Sequence, residues 1–160
     1  MNLITSRTMD ITKLAMDGLM DRQQAISSNI ANVVTPGYQR KEVAFENQLA
    51  EIIEKEDLKD YIKGQNSIEY IPPNVDVFTG EVHQYRTPTL QEKAYLKSNT
   101  MADFKPQYVT DIYSGANTDG NNVELEREMM DLSKTGTKYL VLSNLERRQF
   151  TELSNVILGQ

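Results

Sequence analysis

The segment Ser28-Asn29-Ile30-Ala31-Asn32-Val33-Val34-Thr35-Pro36-Gly37-Tyr38 decides how this chain is organised. It stops a long amphipathic helix and turns the backbone sharply. Thr35 precedes a proline, so its own backbone is pushed out of the α region. Pro36 has no N–H and cannot extend the helical ladder. Gly37 takes positive φ without steric cost. Asn29 and Asn32 are poor mid-helix residues and good local hydrogen-bonders, which suits a helix end with orphan carbonyls.

Working outward, the spacing predicts one helix from about Thr8 to Val34. Met9, Met16, Leu19, Ile26, Ile30 and Val33 fall on a 3-4 seam whose other two positions hold Thr12 and Gln23. Beside it runs a smaller stripe, Ile11, Ala15, Gly18 and Ala25, narrow enough to let a neighbouring helix approach closely. At the other end, a final helix is predicted to start at Asn121 or Asn122 and to run almost to the last residue. Asn121 followed by Glu124 gives an Asn-led version of the capping box. Its seam is Leu125, Met129, Leu132, Tyr139, Phe150, Leu153 and Ile157, with Gly136, Ser143 and Glu146 at the remaining positions. Glycine costs about 1 kcal/mol in a helix interior relative to alanine, so Gly136 is expected to mark close packing against another helix.

Between these helices the pattern is less regular. Phe45, Leu49, Ile52 and Ile53 are spaced for one helical face within 39–63, and the charge-rich stretch Glu54 to Lys63 is expected to be solvated. Gly64, Pro72-Pro73, Gly80, Pro88, Pro106 and Gly115 punctuate the next stretch. Short β-like runs lie at Ile68 to Ile71, Val75 to Val82 and Tyr108 to Tyr113, and Leu90 to Ser98 reads as a short helix. The expected fold is therefore mainly α: two long terminal helices forming an antiparallel coiled-coil-like rod domain, with a small irregular, β-containing middle insert. The expected divisions are 1–38 for the first helix and its turn, 39–116 for the middle and 117–160 for the last helix.

Composition narrows the function. The 160 residues carry 17 basic and 23 acidic side chains, a formal charge of −6. That balance argues against a nucleic-acid surface, which would show a basic face. With no cysteine, thiolate metal sites, disulfides and cysteine nucleophiles are excluded. The single histidine, His83, has no nucleophile and base set up around it. Ser114 to Asn122 is rich in turn formers but lacks the spaced acidic ligands and closing glutamate that calcium needs. The expectation is a protein that is not an enzyme and that has neither a catalytic site, a cofactor nor a metal. Met1 to Asp10 has no basic region followed by an apolar core, so it does not read as a secretory signal.

The string Ser-Asn-Ile-Ala-Asn-x-x-Thr-Pro-Gly-Tyr after an N-terminal helix resembles the signature of the bacterial flagellar rod and hook axial proteins. One position departs: Val34 stands where that pattern usually has a small polar residue. The closing segment Asp119 to Met129, with Tyr139 and then Phe150 to Ile157, is also similar to the last helix of rod proteins. The Pro-Asn-Val lead-in that the rod protein FlgC carries before its last helix does not stand before this one. The resemblance covers about 8–50 and 117–160. It implies a structural subunit of the flagellar basal body, placed in the proximal rod, whose assembly motif is Asn29, Ile30, Ala31, Asn32, Thr35, Pro36, Gly37 and Tyr38. Implied partners are other copies of itself, the rod proteins FlgC, FlgF and FlgG, FliE and the MS-ring side, with no nucleic acid or small-molecule substrate. Implied passage is through the flagellar type III export apparatus, without a cleaved signal, to a periplasmic rod. The readings that stay open beside it are another axial protein of the FlgC kind and a helical export chaperone or adaptor.

Two terminal helices of about 27 and 36 residues would span roughly 40 and 54 Å. Their seams are too long for the small middle to cover, so Met16, Leu19, Ile26, Leu125, Met129, Leu132, Tyr139, Phe150, Leu153 and Ile157 are expected to serve contacts between subunits. In isolation such arms are expected to be frayed, because helix stability comes mainly from packing.

Overall fold

The computed structural model of the chain describes residues 3–66, 88–98, 100–111 and 118–158, with the side chains of 3–6, 62–66 and 156 excepted. The chain divides into two compact units: Met1–Leu49 with Phe104–Gln160, and Ala50–Asp103. The described elements are α1 (Leu3–Ala31), β1 (Lys41–Ala44), α2 (Glu46–Asn66), α3 (Leu90–Lys97), a 3-10 turn (Met101–Asp103), β2 (Gln107–Thr110) and α4 (Leu125–Leu158).

In the first unit α1 packs along α4. The pairing is antiparallel, since Asn29 meets Glu128 whereas Leu19 clusters with Tyr139 and Leu142. β1 and β2 form a two-stranded antiparallel ribbon with Lys41 opposite Thr110 and Val43 opposite Tyr108. An isolated ribbon is marginal in water. Here it is anchored by Val43 and Phe45, which join Leu19 and Ala25 in the core, with Leu49, Phe104, Tyr139 and Leu142 around them.

Phe45 is the central piece of that core. Its ring lies over Gly18 so closely that a Cβ there would stand 2.6 Å from two ring carbons. Phe104 meets the ring edge-on at 6.3 Å, and the Arg22 guanidinium sits 4.8 Å from its centroid. The small stripe of α1 thus admits an aromatic side chain from the β1–α2 corner, where a neighbouring helix was expected. Gly136 also differs from expectation: a Cβ would meet nothing nearer than Gln23 Nε2 at 3.8 Å, so no packing among the described residues demands a glycine.

α1 begins at Leu3, earlier than the predicted Thr8, and two further helix limits shift for identifiable reasons. α1 stops at Ala31, three residues before Val34, because the chain tightens into successive i to i+3 turns. Asn32 N donates to Asn29 O, Val33 N to Ile30 O and Thr35 N to Asn32 O. α4 starts at Leu125, not at Asn121 or Asn122, and Glu124 O accepts its first helical bond from Glu128 N. The side chains of the two asparagines before it are committed to other partners.

The second unit contains the rest of α2, with α3. Thr89 and Glu92 cap α3 reciprocally, which fixes its start where the pattern places it. Lys55 is buried: its Nζ donates to Glu51 at 2.5 Å and to Ser98 O at 2.7 Å, and lies 4.6 Å above the Tyr95 ring. The charged stretch after Glu54 is therefore not solvated throughout. The β-like runs Ile68 to Ile71 and Val75 to Val82 lie outside the described residues, as do His83 and the first part of the Ser114 to Asn122 turn.

Candidate functional site

Because Pro36 and Gly37 reverse the chain, residues 38–43 run back beside the end of α1, and the approach to α4 crosses the same place. Three segments therefore meet at one junction: the end of α1, the strand lead-in and the lead-in to α4. Backbone groups in such a crossing must find partners, and here asparagine amides supply them.

Asn29 is fully buried. Its Nδ2 donates to Lys41 O at 2.8 Å and its Oδ1 accepts from Lys41 N at 2.9 Å, so the side chain pairs with β1 much as a third strand would. The same Nδ2 donates to Glu128 Oε2 at 3.0 Å, and the Tyr38 hydroxyl donates to Oδ1 at 3.3 Å. Arg22 completes this edge of β1 by donating to Val43 O at 2.6 Å.

Asn121, also fully buried, serves the helix end. Its Nδ2 lies 2.9 Å from Asn32 O, 3.0 Å from Val33 O and 2.9 Å from Thr35 O. These carbonyls belong to the turns that follow α1, and Asn32 O and Thr35 O also accept from Thr35 N and Tyr38 N. Its Oδ1 accepts from Val123 N at 2.8 Å, so the predicted capping box with Glu124 does not form. Asn122 accepts from Arg40 N at 2.6 Å through Oδ1 and donates to Asp111 O through Nδ2, tying the junction to β2. Gly37 has φ 71° and Gly120 φ 82°. Gly37 N donates to Asp119 O at 3.0 Å, and a Cβ on Gly120 would touch Gly37 Cα at 3.6 Å.

The charged centre is Arg40 with Glu128, which is 0% exposed. Arg40 Nε donates to Glu128 Oε1 at 2.6 Å. Glu42, Asp131 and Asp111 stand 3.1, 3.5 and 3.6 Å from the same guanidinium. Burial alone would depress the pKa of Arg40, but the hydrogen bonds and charges of Glu128 and Glu42 outweigh it and raise it. Both Glu128 oxygens are thus engaged, one by Arg40 and one by Asn29, as a buried carboxylate requires.

The predicted assembly motif therefore divides. Asn29, Asn32, Thr35, Gly37 and Tyr38 are built into the junction, with Asn32 Nδ2 on Ser28 O at 2.8 Å and Thr35 Oγ1 on Asn32 Oδ1 at 3.2 Å. Ile30 is half-buried, and Ala31 and Pro36 are exposed, as is Val34, at 82%. Of the predicted seam, Leu19 and Ile26 are buried, Met16, Tyr139 and Leu153 are half-buried, and Leu125, Met129, Leu132, Phe150 and Ile157 are exposed. The residues of α4 buried in their place include Glu128 and Thr135. Pattern reading missed Arg40, Asn121, Asn122 and Glu128 as junction residues, since nothing in their local spacing pairs them.

The sequence profile described as flagella basal body rod protein matches residues 14–39, the span that carries the end of α1 and the glycine turn. The chain is 30% identical over 154 residues to the flagellar basal body rod protein FlgB of Borrelia hermsii, covering 96% of this chain and 98% of that one. The chain belongs to the FlgB family of flagellar basal body rod proteins. FlgB of Borreliella burgdorferi is 28% identical over 152 residues, covering 95% and 96% of the two chains. FlgB of Salmonella typhimurium is 22% identical over 138 residues, covering 86% and 83%. The alignment thus extends through the middle region, which the motifs left undescribed. As a FlgB-family chain this is a structural rod subunit of the flagellar basal body, from a family that is not one of enzymes.

Proposed function

We propose that the chain builds the proximal rod by helical assembly, in which α1 and α4 of each subunit pack in a coiled-coil-like manner and present their remaining faces to neighbouring subunits. The neighbours are further copies, the rod proteins FlgC, FlgF and FlgG, and FliE towards the MS ring. Delivery is through the flagellar type III export apparatus into the periplasmic rod.

One observation carries this reading: most of the large apolar side chains of α4 stand outside the unit, although Tyr139 and Leu142 pack on the core. Leu125, Met129, Leu132, Phe150 and Ile157 are exposed, whereas Glu128 and Thr135 are buried. A helix whose apolar stripe faces water has a partner for it elsewhere. Further along α4, Glu146 Oε2 and Gln149 Oε1 are shut off from solvent and accept no hydrogen bond among the described residues. That end of the helix pair is held less well than the junction, and it is the part that gains order when a neighbour docks.

The test is to purify basal bodies from the source cell and to record circular dichroism of the isolated chain before and after mixing with the other rod proteins. Presence in the rod fraction and a gain of helix on mixing are expected. A chain found only in the soluble pool, bound to other export cargo and unchanged in helicity, would show a chaperone instead.

A further inference from the structure

We propose that the open cleft between Phe45 and the middle of α4 is the socket for the first half of α4 of a second copy, a placement that rests on the assembly reading above. The cleft has a volume of about 370 Å³. Its walls are Ala15 and Leu19 of α1, the Phe45 ring, and Thr137, Val141 and Leu142 of α4. Only Glu46 and Lys138 bring charge to it, and the Glu46 carboxylate is held by Arg22 at 2.6 Å. The lining is mainly apolar, and of its polar side chains Glu46 is already tied to Arg22, which leaves only Thr137 and Lys138 to orient a small ligand. An apolar trough between two helices fits another helix.

The occupant follows from how α4 distributes its side chains. At 3.6 residues per turn, Leu125, Met129 and Leu132 lie about 80° to one side of the buried row that contains Glu128 and Thr135, and Lys134, Lys138 and Val141 about 100° to the other. One helix therefore carries an apolar ridge on one flank and half of an apolar trough on the opposite flank. Ridge into trough is a heterologous contact that leaves the second flank of each copy free for the next, as a helical tube requires. Charge selects the same pairing. The trough is edged by Lys138, which has no ion pair among the described residues. The ridge is flanked by the exposed Glu126. Trough against trough would bring Lys138 onto Lys138, a like-charge contact.

The experiment places the photo-crosslinker p-benzoylphenylalanine at position 141 of the full chain, in cells that assemble basal bodies from a mixture of isotopically heavy and light copies. Irradiated basal bodies are expected to yield a main adduct of twice the chain mass, joining position 141 to a peptide within 125–136 of the other isotope. In a second arm, Lys138→Glu lowers incorporation about tenfold, and adding Glu126→Lys to the same chain restores it. Adducts only to a different protein or to other segments overturn the placement, as does the absence of any adduct in basal bodies that contain the substituted chain. So does a Lys138→Glu defect that Glu126→Lys leaves in place while the chain remains helical. If the unsubstituted chain is missing from basal bodies, the assembly reading itself falls.

Discussion

Asn29 and Lys41 make two hydrogen bonds, side-chain amide to main-chain amide: Nδ2 to Lys41 O at 2.8 Å and Lys41 N to Oδ1 at 2.9 Å. A helix cannot extend a sheet through its own backbone, whose groups are spent along the helix axis. One buried asparagine overcomes this by lending α1 a single strand-like pair. Replacing it with alanine would leave Lys41 N, Lys41 O and Glu128 Oε2 without that partner. Each buried polar group left unmade costs about 1–3 kcal/mol, so Asn29→Ala should lose roughly 3 kcal/mol or more. Asn29→Asp, nearly the same shape, should do no better, because it turns an oxygen towards Lys41 O and towards the Glu128 carboxylate. Urea unfolding followed by circular dichroism measures both. A loss below about 1 kcal/mol for either would show that the pair is incidental.

Arg40 and Glu128 give the second prediction. Removing one partner of a buried pair typically costs about 3–5 kcal/mol, more than the net worth of the pair itself. Arg40→Met should fall in that range. It also removes the guanidinium that stands among Glu42, Asp111, Asp131 and Glu128. The variant should therefore become more stable as sodium chloride is added, because salt screens the exposed part of the remaining repulsion. A salt response equal to that of the unsubstituted chain would show that the acidic surroundings do not depend on Arg40.

Two helical glycines should respond in opposite directions. Alanine gains roughly 1 kcal/mol over glycine in a helix interior. At Gly136 the added methyl meets only Gln23 Nε2 at 3.8 Å, so Gly136→Ala should raise stability by about that amount. At Gly18 it would strike the Phe45 ring at 2.6 Å. Overpacking of that kind costs about 1–3 kcal/mol and outweighs the propensity gain. Urea midpoints compare the pair directly. If Gly136→Ala is more stable as a monomer yet fails to enter the rod, the open space there is taken by a neighbouring subunit.

These positions show what local pattern conveys and where it stops. Pro36 and Gly37 were readable because their constraints act within the chain nearby, and Gly37 does take φ 71°. The capping pair that starts α3 at Leu90 was equally local. Asn29 read as a helix terminator since its spacing could say no more: its carboxylate partner is 99 positions away. Asn121 followed by Glu124 matched a capping pattern, but three carbonyls at the end of α1 compete for its amide and win. The small stripe around Gly18 announces a close approach without naming the visitor, and the spacing of Phe45 places it on the face of a later helix. Periodicity found the apolar rows of α4 but could not say which row faces inward. That is decided by Glu128, a charged residue that Arg40 and Asn29 draw into the interior.

Glu46 provides a pH-dependent check. Burial tends to raise its pKa, but hydrogen bonds from Arg22 and from backbone N–H groups, with the charge of Arg22, prevail and hold it below 4.5. A carboxyl depressed in the folded state contributes stability above its unfolded pKa and loses it as pH falls through the folded value. Stability should thus decline on acidification below about pH 4.5, and Glu46→Gln should flatten that decline. Its side chain is 54% exposed, so the effect should stay under about 1 kcal/mol. Unfolding free energies at pH 6 and at pH 3.5, for both chains, supply the comparison, and identical slopes would remove Glu46 from the acid response.

Leu132 and Ile26 separate folding from assembly. Both belong to the apolar rows of the terminal helices, yet Ile26 is 3% exposed and Leu132 36%. An aspartate at position 26 would have to be buried without a partner, and a variant Ile26→Asp should lose several kcal/mol and much of its helix before any neighbour is met. An aspartate at position 132 stays in contact with water, so Leu132→Asp should keep the helicity and urea midpoint of the parent chain. Its effect should appear only where the ridge formed by Leu125, Met129 and Leu132 docks, as loss of the chain from purified basal bodies and loss of swimming. Circular dichroism of the two purified variants, set beside motility of cells carrying them, distinguishes the cases. Normal swimming with Leu132→Asp would take this ridge out of the rod contact, while an unfolded Leu132→Asp chain would move Leu132 into the monomer core.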